Sequence, residues 1–196
     1  MRPKELVEFL GIIGRLKSTT RHVWAMDGRQ ESVAEHCWRL AVIALLIADE
    51  FPGLDMQKVL KMCLIHDFGE AITGDIPSFF KTKQDEDKEE LAIAGLIERL
   101  SEGLSESTAK EFAELFAEMA ELDTEEAKLF KALDKLEAII SHNESPLDTW
   151  LELEHTENQT YGTEEAAHFE YLARLRELIR NDTILKIEEH TQVPCD

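Results

Sequence analysis

Apolar residues recur along this chain at the three- and four-residue spacing of helices, and no stretch alternates apolar with polar side chains between turn residues as a half-buried strand would. The pattern predicts an all-α fold. The first helix runs from about Pro3, acceptable at an opening helical position, to Leu16, and its stripe is Leu6, Phe9, Leu10, Ile13 and Leu16. Residues 17 to 31 lose this periodicity and read as a loop. Ser32-Val33-Ala34-Glu35 then has the form of a capping box, which starts a second helix that ends at Phe51-Pro52-Gly53. Asp55 is placed to cap a third, which carries Val59, Leu60, Met62, Cys63, Leu64 and Ile65 toward Gly69. Both helices are apolar nearly all round, so they are expected at the centre of the molecule.

A loop with Gly74 and Pro77 leads to acidic helices near 85 to 101 and 105 to 121. A further helix runs from Asp123 or Thr124 to about Asn143, and the last from about Thr163 to Arg180. The length suits one domain over 1–196, with a core at about 10–180 and a loose tail from 181. Between Asp85 and Glu126 fifteen acids face only Lys88, Arg99 and Lys110, the spacing of a solvated helical surface. The whole chain has a formal charge of −20, which argues against a nucleic-acid polymer as partner. A small anionic substrate stays open, its charge met locally. The longest apolar run, Leu40 to Ala48, falls well short of the ~20 residues a membrane span needs. No basic-then-apolar export signal opens the chain, and Cys37, Cys63 and Cys195 are odd in number and far apart, so they read as reduced thiols of a cytoplasmic protein.

The chemistry concentrates in three helical segments. His36 lies among Val33, Cys37, Leu40, Ala41 and Ala44, where an unpaired imidazole is costly to bury. His66-Asp67 ends another apolar helix, and a carboxylate buried there demands a cation or several donors. Asp134 sits inside the apolar stripe of its own helix, with Ala127, Phe130, Leu133, Ala138 and Ile140 within about 120° of it. Two imidazoles and two carboxylates from central helices suit a divalent transition metal such as Mn, Fe, Co or Zn, with positions left for water. Closed structural zinc sites use thiolates that this set lacks. Glu70, one turn after His66, can face the same place and orient or deprotonate a water.

In order, His36, His66-Asp67 and Asp134 give the pattern H…HD…D, and over about residues 10 to 145 the chain resembles the HD-domain superfamily of metal-dependent phosphohydrolases. The stretch His66-Asp67-Phe-Gly-Glu70-Ala-Ile-Thr-Gly-Asp75-Ile-Pro77 is similar to the YfbR-like 5′-deoxynucleotidases and to their eukaryotic HD-domain relatives. The resemblance implies a single helical HD domain, a homodimer, and hydrolysis of deoxyribonucleoside 5′-monophosphates to nucleoside and phosphate. It implies that His36, His66, Asp67 and Asp134 hold the metal and that Asp75 protonates the departing 5′-oxygen. Arg21 looks like the phosphate-binding arginine, with Lys81 as a second phosphate contact. In the bacterial enzymes a tryptophan directly follows that arginine and is associated with excluding a 2′-hydroxyl; here His22 follows, and Trp24, three positions on, reads either as a sugar wall from its shifted place or as a core residue.

Two other functions share these motifs. The same metal site could serve another nucleotide, a pyrophosphate-bearing signal or a cyclic dinucleotide, although no Gly-Tyr-Pro follows the His-Asp pair. A silent nucleotide-binding regulatory module would have no use for both Glu70 and Asp75. His142, His155, His168 and His190 show no ligand spacing and read as surface or structural.

Overall fold

The computed structural model describes residues 2–103 and 105–192, with the side chains of the last two left out; Cys195 and the end of the expected tail lie outside them. Helix α1 (Pro3–Ile13) runs into a short 3₁₀ turn, Gly14–Lys17. Helices α2 (Val33–Leu46) and α3 (Met56–Ile65) follow, each started by the cap its sequence announces. Ser32 Oγ accepts from the amide of Glu35 at 3.3 Å, and a Glu35 carboxylate oxygen accepts from the amide of Ser32 at 2.9 Å. Asp55 accepts from the amides of Gln57 and Lys58, both at 3.1 Å.

Helix α4 (Glu70–Thr73) is a single turn beyond the His-Asp pair. The long helices α5 (Lys83–Gly103), α6 (Glu106–Glu121) and α7 (Glu125–Glu144) come next, the last two capped by Ser105 and Thr124. Short helices α8 (Glu154–Glu157) and α9 (Thr163–Ala167) precede α10 (Glu170–Gln192). The last helix therefore continues twelve residues past Arg180, where its sequence pattern weakens. Tertiary contact sustains it: Thr183 is buried and its hydroxyl donates to Asn143 Oδ1 at 2.9 Å, while Asn143 Nδ2 donates to the Ile179 carbonyl at 3.0 Å.

Helices α2, α3, α7 and α10 enclose the main core, where Leu40, Val59, Met62, Leu129, Leu133, Leu136, Ile139 and Leu172 are fully buried. A smaller cluster, Phe9, Leu96, Leu100 and Ala109, joins α1 to α5 and α6. Phe68, directly after the His-Asp pair, packs against both, its ring 6.5 Å from Phe9 and 6.2 Å from Phe112. Next to it Gly69 is in close contact with α5: a Cβ there would stand 2.7 Å from Glu89 Cγ and 3.2 Å from Ile93 Cγ1. The turn bearing the motif is thus clamped on both sides.

Helix α2 stops at Leu46, short of the expected end at Phe51, and a further departure lies before it. Within the expected loop of residues 17 to 31, β1 (Thr20–Trp24) pairs antiparallel with β2 (Gln30–Ser32), with Thr20 opposite Ser32, Trp24 opposite Gln30 and a bulge between. Gly28 makes the hairpin turn with φ of 84°, a conformation that favours glycine. At its far end the Trp24 amide donates to Ser145 Oγ at 3.0 Å, which fastens the hairpin to the end of α7.

Candidate metal centre

Helix α2 brings His36, the end of α3 brings His66 and Asp67, and α7 brings Asp134 to one point. The Nε2 atoms of His36 and His66 are 3.2 Å apart. Asp67 Oδ2 lies 3.0 Å from His66 Nε2 and 3.8 Å from His36 Nε2, and Asp134 Oδ1 lies 3.6 Å and 3.3 Å from the same two nitrogens. His36, His66 and Asp67 together form a group that could hold a metal ion.

The far nitrogen of each ring explains the orientation. His36 Nδ1 donates to a carboxylate oxygen of the buried Glu137, and His66 Nδ1 donates to the Cys63 carbonyl at 3.1 Å. With both Nδ1 protons directed away, both Nε2 lone pairs point at the same spot. Two bare imidazole nitrogens at that separation repel each other unless a positive charge lies between them. The ionisations agree: burial tends to discharge both rings, yet Asp67 beside His66 and Glu137 and Asp134 beside His36 raise their proton affinity. The donor chemistry of His36, His66 and Asp67 fits a divalent cation, and Asp134, though beside both nitrogens, falls outside that closest group.

Glu137 is the residue that sequence reasoning missed. Besides His36 it accepts from Arg21 Nη1 at 3.3 Å, Arg39 Nε at 2.7 Å and the Ser141 hydroxyl at 2.9 Å. Burial pushes its carboxyl up, but His36, Arg21 and Arg39 outweigh that and hold it below the usual carboxylate range. Replacing Glu137 by Gln strips one partner from a buried ionic network, so a loss of about 3 kcal/mol of unfolding free energy is expected in denaturant titrations. The sign with pH follows from the depression: Glu137 stabilises fully above the ordinary carboxylate pKa and its contribution is lost as pH falls through the lower folded value. The variant should therefore lose less stability on acidification than the parent.

A cavity of about 310 Å³ opens over the ligands. Glu70 and Asp75 are in its lining, Asp75 delivered by the turn at Gly74, whose φ is 80°. Glu70 Oε2 is buried without a hydrogen-bond partner among the described residues. Burial, with Asp67, Asp75 and Glu89 nearby, pushes Glu70 up to about 10; burial also raises Asp75, with Asp67 adding to it and Arg21 opposing.

Cations line the same cavity. Arg21 reaches it from β1, its Nη1 held by Glu31 at 2.8 Å and by Glu137, and its other donors have no partner among the described residues. Lys81 is in the lining as expected, ion-paired to Glu89, which departs from the solvated acidic face of its helix. Lys131 was not anticipated; its ammonium lies 2.9 Å from Asp134 Oδ2, which keeps it charged. It sits one turn before Asp134 in the same apolar stripe, a signal the helical wheel contained.

Trp24 has a different place from that of a sugar wall. It lines neither this cavity nor the smaller recess beside it, and its ring stands edge-on to His22 at 4.9 Å. A bulge interrupts the strand between Thr20 and Trp24, and Arg21, His22 and Val23 all line the recess while Trp24 does not. His22 lines the recess instead, together with His142 of α7.

The HD-domain family model matches residues 13–175. A 5′-deoxynucleotidase of Bos taurus is 35% identical over 145 residues, which cover 72% of this chain and 68% of that one. Another from Dictyostelium discoideum is 34% identical over 142 residues, 68% of this chain and 74% of its own. Among solved structures, one described as a predicted metal-dependent phosphohydrolase of Magnetospirillum magnetotacticum shares the fold with a TM-score of 0.77 at 24% identity, over 94% of each chain. A conserved hypothetical protein of Pyrococcus furiosus reaches 0.64 at 32% identity, over 90% of this chain and 98% of that one.

Proposed function

Because this chain belongs to the HD-domain family, we propose that it is a metal-dependent phosphomonoesterase that hydrolyses deoxyribonucleoside 5′-monophosphates. The observation that carries the reading is the pair of Nε2 lone pairs, flanked by two carboxylates, beneath a cavity whose other walls supply three acids and three cations.

His36, His66, Asp67 and Asp134 would hold the ion, with Mn, Co, Fe and Zn all compatible with two nitrogens and two oxygens. A bound divalent cation supplies Lewis-acid chemistry, polarising the phosphoryl group and acidifying water. Arg21, with Lys81 and Lys131, binds and orients the phosphate dianion; the planar fork of Arg21 suits two of its oxygens. Glu70 takes a proton from the water that attacks phosphorus, the P–O5′ bond breaks, and Asp75 gives its proton to the departing 5′-oxygen. The raised proton affinity of Asp75 suits an acid. Glu70 needs the opposite state. Positive charge beside Asp67 offsets the nearest of the carboxylates that hold its proton, so its basic form belongs to the loaded site.

The same reading includes a homodimer, supported by the exposed Trp38, Leu45 and Leu46 on α2, and a cytoplasmic setting, supported by the unpaired Cys37 and Cys63. Among the described residues no helix is long and apolar enough to cross a membrane.

The test is phosphate release from a panel of deoxyribo- and ribonucleoside monophosphates with Mn²⁺, Co²⁺, Mg²⁺ or chelator. Release from the deoxyribonucleotides that disappears with chelator is expected. Release that ignores chelator, or that occurs only from pyrophosphate-bearing substrates, would sink the reading.

A further inference from the structure

Beside the metal cavity lies a smaller recess of about 70 Å³, and the two share Arg21, Asp75, Ser78, Ala138 and Tyr161 as a common wall. At about 10–15 Å³ per enclosed water, the recess takes roughly five waters, the space of one flat ring and not of a whole nucleotide. Asn158 lines it. That residue is fully buried, yet neither end of its carboxamide has a hydrogen-bond partner among the described residues. A buried amide left unmatched at both ends is costly, and natural structures rarely keep one without an occupant to satisfy it. Its main chain is fixed: the carbonyls of Asn158 and Tyr161 both accept from the buried Arg176, at 2.9 Å each. The backbone that carries it is therefore held in place, while the carboxamide keeps its donor and acceptor unused and is free to turn.

We propose that this recess is a nucleobase subsite, in which Asn158 hydrogen-bonds the base edge and Phe79 with Tyr161 supplies an aromatic wall. The proposal rests on the nucleotidase reading. The two rings lie 5.7 Å apart in an edge-to-face arrangement, and Tyr161 is held by its hydroxyl donating to Ser78 Oγ at 3.2 Å. Scale agrees as well: His142, at the recess, is two turns along α7 from Asp134, or about 12 Å, which matches the reach from phosphate to base edge in a nucleotide. Burial pushes His142 down to about 4, so the imidazole at the far end of the recess carries no positive charge that would attract a second phosphate. Every nucleobase presents a donor beside an acceptor somewhere on its edge, and a carboxamide can match either order by a half-turn. The subsite should read the presence of a base more strongly than its identity.

A base-free phosphomonoester isolates this contribution. The measurement is kcat/KM for the four deoxyribonucleoside monophosphates relative to 2-deoxyribose 5-phosphate, with binding of the free deoxynucleosides followed by calorimetry. Asn158→Leu is expected to lower the nucleotide-to-sugar-phosphate ratio about tenfold, the scale of one buried hydrogen-bonding group left unmatched. Phe79→Ala, at a half-exposed position that tolerates truncation, should move the ratio the same way and carries the test if the Asn158 variant fails to fold. A ratio and nucleoside affinity unmoved by either variant, in an enzyme that hydrolyses nucleotides, overturns the subsite. Nucleoside binding that depends on Asn158 and Phe79 without any phosphate release supports the subsite while overturning the hydrolase reading.

Discussion

Asp67→Ala protein is expected to emerge from purification without stoichiometric divalent metal and to release phosphate at background rate. Asp67 Oδ2 is 3.0 Å from one ligand nitrogen and 3.8 Å from the other, so its loss leaves two imidazoles facing a single carboxylate. Stability should fall along with turnover. An ion held only by the folded chain at a hundred times its dissociation constant contributes about 2.7 kcal/mol. For a domain of this size that is a fall in Tm of roughly 5–10 °C, for the variant and for chelated parent protein alike. Elemental analysis beside a thermal melt decides it: a full complement of metal with parental turnover would remove Asp67 from the ligand set.

Glu70→Gln should separate chemistry from binding. We expect turnover to drop by about 10²-fold or more, the range for a lost general base, with metal content and KM little changed. The substitution is nearly isosteric and removes a carboxyl that burial and three acidic neighbours already disfavour as an anion, so the metal-free variant should melt no lower than the metal-free parent. Normal turnover in this variant would leave Glu70 as a helix-end residue and assign water activation elsewhere.

Much of the candidate metal site was legible because each proposed ligand sits where a polar group has no business being unless something binds it. His36, His66 and Asp134 each interrupt an apolar helical face, and those faces are set by the three- and four-residue period alone. Helix starts were equally legible, since a cap is a local bond between residues two or three apart. Glu137 shows what was overlooked: it falls about 60° round the helix from Asp134, inside the same stripe, but no motif marks a residue whose role is to hold another residue's far nitrogen. The hairpin was missed for a different reason. Asp27-Gly28 is a turn signal, but β2 is only three residues long, too short for alternation to register, and the bond from Trp24 to Ser145 that fastens its turn end to α7 joins residues far apart in sequence. Asn158 carried no signal at all, because an unmatched amide is visible only once its surroundings are known.

The close approach of α5 to Gly69 has a consequence for how this architecture could change its diet. Glu89 and Ile93, which press on the main chain there, are also cavity wall. On that side the side chains of Glu89 and Ile93 serve at once as cavity wall and as packing against the Gly69 main chain, so resizing either disturbs both. Selection for a bulkier or slimmer substrate has nothing to work on there without dislodging the turn that carries His66 and Asp67. The adjustable margin is the segment from Ile76 to Phe79, which lines the cavity and the recess, and a laboratory library meant to shift substrate range should be spent there and not on Arg21 or Asp75.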